Sequence, residues 1–211
     1  MLGEPEITTK LMRQTLPSAH PLLRRATRRL HHRIDSTSVL AALTISGVTP
    51  DLYQIAMESL IQAYEQIDSV FLQAAHLCPN DLAPYTPRTP ILERDLAALG
   101  QFHRVRFKQL KIRLEVPGTA ASYLGMRYVV EGAQLGSRFI YKHLRSAFGD
   151  EIHRFGTFWT PGCFAEGTWP SLLQCLDRVD SRKALADAVR AARLTFWYMQ
   201  RCLCVSTTEA I

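Results

Sequence analysis

The sequence predicts an all-α fold, and three features of its 211 residues favour this class. Apolar residues recur at helical spacing, as Leu23, Ala26, Leu30 and Ile34 do along the first amphipathic segment. Prolines and glycines stand at the ends of such segments, where they start and stop helices. No convincing run of alternating apolar and polar residues indicates a strand.

The first three predicted helices start at turn-forming or capping residues. Pro21 suits the first position of a helix that extends to about residue 35. A short helix over 39–45 follows. The Thr-Pro-Asp sequence at 49–51 then opens a longer amphipathic helix, which extends to about residue 76.

The rest of the chain is divided in the same way. Four prolines between residues 79 and 90 mark a loop, since each disfavours helix just before it, and a short helix then runs to Gly100. Residues 102–116 are ambiguous between helix and irregular structure. The remaining predicted helices cover about 119–148, 169–179 and 181–203, with an aromatic- and glycine-rich connection after the first of them. Because no proline-, glycine- and serine-rich linker divides the chain, one domain is expected over 21–205, after a partly irregular N-terminal extension at 1–20.

Charge and cysteine content narrow the function classes only partly. The net charge of +6 and the run of arginines between residues 24 and 33 suit an acidic partner, nucleic acid or an anionic membrane, or form only a solvated helix face. Five irregularly spaced cysteines without a CxxC motif indicate neither a zinc site nor a disulfide framework, so reduced thiols and a cytoplasmic location are expected. The N-terminus lacks the apolar region of a signal peptide, and no segment is apolar enough to span a membrane.

A histidine and basic residues share one side of the first predicted helix. On a helical wheel, His31 lies at the edge of the buried face, with Arg24 and Arg28 on the same side, whereas His32 faces water. Haem needs an imidazole for its iron, an apolar wall for its ring and cations for its propionates. Asp35, one turn after His31, would orient the imidazole. The alternative is a structural histidine on an arginine-rich surface.

The long helix predicted over 119–148 carries three glycines on one face. Gly125, Gly132 and Gly136 are spaced by seven and four residues, and each costs about 1 kcal/mol relative to alanine in a helix interior. Glycine lets another group approach the backbone closely. Both a flat ligand and a neighbouring helix would use such a face, and the sequence leaves both open.

Together the two segments resemble the haem oxygenase family, over about residues 22–203. LRRATRRLH at 23–31 is similar to that family's proximal helix, and YVVEGAQLG at 128–136 to its distal helix in bacterial members. TPILERDLAALG at 89–100 and AARLTF at 191–196 add to the resemblance. ERDLAALG is especially similar to members that supply chromophore to bacterial phytochromes.

The resemblance implies a haem-oxygenase-like helical bundle and roles for ten residues. His31 matches the iron ligand and Asp35 the carboxylate that orients it. The distal helix supplies Gly132 and Gly136, whose backbone lies over the iron, and Ser137 at the position of a further glycine. The other expected haem-binding residues are Arg24, Thr27, Arg28, Tyr128 and Phe196. Many family members have an aspartate where this chain has Ala133, so its distal water network must be arranged differently.

The family's activity is the conversion of haem, at once cofactor and substrate, to biliverdin, CO and iron. Because the sequence contains no flavin or nicotinamide motif, electrons are expected from an external ferredoxin, flavodoxin or other reductase. The basic face at Arg25, Arg29 and Arg33 suits an acidic donor. No nucleic-acid or membrane partner is expected. The alternatives are a non-catalytic haem carrier, motivated by Ala133, and a basic helical nucleic-acid-binding domain, which leaves the glycine face unexplained.

Overall fold

The computed structural model describes residues 18–100, 112–160, 163 and 167–204. These ranges contain eight α-helices, three short 3-10 turns and no strand, which confirms the all-α prediction. The helices are α1 (Ala19–Thr37), α2 (Val39–Ala42), α3 (Pro50–Gln73), α4 (Thr89–Leu99), α5 (Ala120–Phe148), α6 (Ile152–Phe155), α7 (Thr168–Asp177) and α8 (Arg182–Leu203).

Capping residues in the sequence set several of these boundaries. The hydroxyls of Thr49, Thr119 and Ser181 each accept a hydrogen bond from a backbone N–H in the first turn of α3, α5 and α8. Such caps satisfy donors that have no partner within the helix. At the other end of α5, Gly149 has a φ of 59°, a left-handed conformation that favours glycine and ends the helix.

Several helix ends differ from the sequence prediction by a few residues. Helix α1 begins two residues before Pro21, α2 is shorter than the predicted 39–45, and α3 ends at Gln73, before a 3-10 turn over Ala75–Leu77. Helix ends commonly tighten into 3-10 geometry, which periodicity does not reveal. The N-terminal extension lies almost wholly outside the described residues. So does most of the ambiguous 102–116 segment, whose residues 112–116 are not helical.

Helices α5 and α8 pack along each other and form the centre of the bundle. Helix α8 also contacts α1 and α3, while α7 packs on α5, and α4 on α3. The apolar faces of these helices form one continuous core, which includes Leu23, Ile67, Leu144 and Leu172. In the described ranges, no helix is both long enough and apolar enough to cross a bilayer. This packing leaves a space between α1 and the second half of α5.

Candidate functional site

A cavity of about 430 Å³ lies between α1, α2, α3, α5 and α8. Most of its wall is apolar, and the described residues place neither arginine nor lysine on it. Six of the ten residues expected at the haem site line this cavity. They are His31, Asp35, Gly132, Gly136, Ser137 and Phe196.

The imidazole of His31 is held in place by a carboxylate one turn further along α1. Its Nδ1 lies 2.6 Å from Oδ2 of Asp35, and the Phe196 ring on α8 meets the imidazole edge-on at a centroid distance of 5.7 Å. A carboxylate on Nδ1 fixes the tautomer that leaves Nε2 as the acceptor nitrogen, the form in which histidine binds a metal. The side chain of His31 is 57% exposed, so a ligand can reach it from solvent.

The neighbouring histidine is placed differently. His32 is exposed, lies outside the cavity wall and contacts the Ser36 hydroxyl through Nδ1 at 3.3 Å. Residues adjacent in sequence point about 100° apart on a helix. The structure therefore separates the two histidines as the helical wheel predicts.

The three glycines of α5 have three different surroundings. A Cβ at Gly125 would clash with the backbone carbonyl of Ala188 on α8, so this glycine allows two helices to pack closely. A Cβ at Gly132 would lie 3.4 Å from the Trp169 ring, and one at Gly136 would meet nothing within 4 Å. Helix packing explains Gly125, whereas Gly136 leaves open space beside the cavity.

Two residues beside these glycines bear on the polar character of the cavity. Ala133, where the resemblance implies an aspartate in many family members, lines the cavity. The hydroxyl of Ser137 also lines it but donates to the Gln134 backbone oxygen at 2.7 Å within α5. Ser137 therefore keeps only its lone pairs for a ligand or a water.

The four remaining expected residues lie outside the cavity wall. Arg24 and Arg28 are exposed on earlier turns of α1. The buried hydroxyl of Thr27 donates to the Leu23 backbone oxygen at 2.8 Å. Tyr128 packs beside the Trp169 ring at a centroid distance of 5.6 Å, and burial raises the pKa of its hydroxyl. Tyr128 lies beside Thr27 and near Arg24, beyond the cavity.

The wall opposite α1 contains aromatic residues that the sequence analysis did not single out. Tyr64 on α3 is buried there, and burial raises the pKa of its hydroxyl. Phe158 and Trp159 form another part of the wall, and the backbone N–H of Phe158 donates to Oδ2 of Asp95 on α4 at 2.6 Å. A single aromatic residue on a helix or in a connection gives no distinctive sequence signal, which is why these residues were missed.

A buried ion cluster is centred on Glu131 of α5, directly before residues 132–137, most of which line the cavity. The carboxylate of Glu131 pairs with Arg127 on the same helix at 2.9 Å and with Arg88, which precedes α4, at 3.0 Å. All three side chains are almost completely buried. The spacing of Arg127 and Glu131 by four residues was a visible signal, but the pairing with Arg88 was not.

The cavity has the properties that a haem group requires. Its apolar wall suits a porphyrin ring, and His31 would offer a nitrogen ligand to the iron. The open space at Gly136 allows a flat ligand to approach the α5 backbone, which a larger residue would obstruct. His31 on α1 and Gly132 and Gly136 on α5 meet at this one cavity, and so the residues present fit the group.

Comparisons with known proteins agree with this fit. A sequence model of the family described as "Heme oxygenase" matches residues 18–199. A protein named heme oxygenase from Xanthomonas campestris pv. campestris (strain 8004) is 33% identical over 123 residues, covering 56% of this chain and 68% of that protein. The fold matches the crystal structure of the NO- and CO-bound heme oxygenase from Neisseria meningitidis with a TM-score of 0.63 and 19% identity, over 93% of this chain and 99% of that one. The chain therefore belongs to the haem oxygenase family of haem-degrading oxidoreductases.

Proposed function

We propose that this protein binds haem in the cavity between α1 and α5 and cleaves it to biliverdin, CO and ferrous iron, using dioxygen and electrons from an external donor. One observation carries the proposal. His31, with its Nδ1 held by Asp35, lines the same cavity as the glycine backbone of α5. The haem itself supplies the iron chemistry that activates dioxygen, and the protein orients the ring and excludes water.

Each part of the cavity has a role in this proposal. His31 binds the iron through Nε2, and Asp35 orients the imidazole. The backbone at Gly132 and Gly136 would restrict the space beside the ring and so favour oxidation at one meso carbon. Phe196, whose ring meets His31 edge-on, would pack against the porphyrin. Ser137 contributes acceptor lone pairs to ordered water in place of the aspartate that Ala133 replaces.

The propionates are assigned to the surface beyond the cavity. Arg24 and Arg28 are the basic positions that the family resemblance implies, and Tyr128 lies beside Thr27 and near Arg24. A propionate that extends from the cavity along α1 would pair with these exposed guanidinium groups. These four assignments stay predictions, because the cavity wall does not include them.

The electron donor is proposed to be an acidic ferredoxin, flavodoxin or similar reductase. Arg25, Arg29 and Arg33 are exposed along α1, the helix that carries His31. Opposite charges on the two proteins would speed their encounter and make it sensitive to salt. Delivery of the biliverdin to a bacterial phytochrome and a cytoplasmic location are further predictions from the sequence.

A haem titration followed by reduction in air tests the proposed function. Biliverdin should appear and be identifiable as a bilin isomer, while the Soret band disappears. The substitution His31→Ala should abolish tight coordination of ferric haem, whereas His32→Ala should bind haem normally and serve as the matched control. If His32→Ala instead loses the imidazole spectrum, the assignment of the ligand is wrong.

The second candidate function is haem binding without catalysis. It is favoured by Ala133 and by the hydroxyl of Ser137, which is already donating to the Gln134 backbone oxygen. Both features reduce the polar groups that face the ring. A Soret band that persists under reductant and oxygen, without bilin absorbance, would establish this function in place of the enzyme.

A further inference from the structure

Glu131 is a buried carboxylate that the proposed haem chemistry does not use. We propose that it is a positioning residue. The ion cluster of Arg88, Arg127 and Glu131 sets the rotation of α5 about its axis and its position along that axis. As a result, the backbone at Gly132 and Gly136 faces His31 at a fixed separation. The inference rests on the proposed function for its catalytic consequence, but the placement of α5 is measurable without haem.

The cluster joins α5 to two other helices. Glu131 accepts from Arg88 at 3.0 Å, and the backbone N–H groups of Arg88 and Thr89 donate to Oδ2 of Asp68 on α3, at 2.9 and 2.8 Å. Arg88 directly precedes α4. The carboxylate of Asp68 therefore holds the start of α4 on α3, and the carboxylate of Glu131 holds α5 on the same segment. The position of α5 is thereby tied to the wall of the cavity that α3 forms.

Aromatic rings restrict the two guanidinium groups. Tyr85 lies against both, with centroid distances of 5.4 Å to Arg88 and 5.5 Å to Arg127. Arg127 also donates to the Tyr123 hydroxyl at 3.2 Å and to the Ala83 backbone oxygen at 3.3 Å. Stacking and charge-assisted hydrogen bonds are directional, so they define an orientation and not merely a contact.

Stability alone is a weak reason for such a cluster. Removing charges from water offsets most of the attraction between them, and apolar replacements of a buried ion triad often leave a protein as stable as before. The place of the cluster along α5 gives a better reason for its presence. After Glu131, none of residues 132–136 on α5 is buried, and the next buried residue is Ser137. The cluster is therefore the last buried charged anchor of α5 before residues 132–136, four of which line the cavity.

The decisive variant replaces the whole cluster with apolar residues, as Arg88→Met, Arg127→Met and Glu131→Leu together. It should fold and should keep the Soret band of His31-ligated haem, because α1 is unchanged. The ratio of bilin isomers should change by about tenfold, since this needs only about 1.4 kcal/mol between competing paths. In the haem-free protein, amides of residues 132–136 should exchange with deuterium about tenfold faster, as expected for a less constrained segment.

Two single substitutions complete the test. Glu131→Gln keeps the size of the side chain and removes its charge. It should shift the isomer ratio and the exchange rate in the same direction as the triple variant does, but by a smaller factor. Asp81→Asn breaks an exposed ion pair with Arg178, away from the cavity, and should change neither. The proposal is overturned if Glu131→Gln and the triple variant both fold with an unchanged isomer ratio and unchanged exchange. A protein that forms no bilin would contradict the proposed function, while the exchange measurement would still decide the positioning role.

Discussion

The two halves of α5 differ in how deeply their residues are buried. From Tyr123 to Glu131 every residue is buried, and at Gly125 the backbone lies against α8. From Gly132 onward only two α5 residues are buried, and Leu135 and Phe139 expose 56% and 60% of their surface. One half therefore belongs to the core, and the other forms the wall of an open cavity.

This difference shows that glycine spacing does not by itself reveal what a glycine is for. Gly125 and Gly136 fall on the same predicted face, yet one contacts a helix backbone and the other borders open space. The cost in helix propensity is the same at both positions. Gly125 allows α8 to pack closely, whereas the benefit proposed for Gly136 is access for a ligand, and substitutions can separate the two.

The largest effect on stability is expected in the buried first half of α5. Gly125→Ala should lower the free energy of unfolding by about 1–3 kcal/mol, because the added methyl group meets a backbone carbonyl that cannot rotate away. Chemical denaturation of the haem-free protein measures this loss. A variant as stable as the parent would show that α5 and α8 are not closely held at this point.

The opposite change in stability is expected in the second half of α5, which borders the cavity. Gly136→Ala should raise the free energy of unfolding of the haem-free protein by up to about 1 kcal/mol, since alanine favours helix and meets no neighbour. The same methyl group should weaken haem binding and slow biliverdin formation, because it points to the space assigned to the ring. Equal haem affinity in the variant and the parent would contradict this assignment.

The smallest effects on stability are expected at the cavity rim. Phe139 lines the cavity, whereas Leu135, one turn earlier and equally exposed, does not. Both alanine substitutions should change the free energy of unfolding by no more than about 0.5 kcal/mol. Only Phe139→Ala should speed the transfer of haem to apomyoglobin, and equal rates in the two variants would argue that the ring does not reach Phe139.

Local chemistry made most of the fold predictable. Proline, glycine and hydroxyl caps act within one turn of the helix that they bound, so Thr49, Thr119 and Gly149 could be recognised without any tertiary information. The same holds for His31 and Asp35, which are one turn apart. Their mutual contact follows from helix geometry alone.

Contacts between distant segments were not predictable in this way. Arg88 and Glu131 are 43 residues apart, and nothing in a proline-rich loop indicates that an arginine there is buried. The helical wheel also cannot state how far a ligand extends along a helix. It placed Arg24 and Arg28 on the side of His31, but the cavity wall begins further along α1.

The apolar wall of the cavity has a thermodynamic consequence. Haem that enters it would cover apolar surface on α1, α3, α5 and α8 at once, including the exposed ring of Phe139. Burying such surface lowers the heat capacity of the complex, even where a coordinate bond dominates the enthalpy. Calorimetric titrations at several temperatures should therefore show a binding enthalpy that becomes steadily more negative on warming.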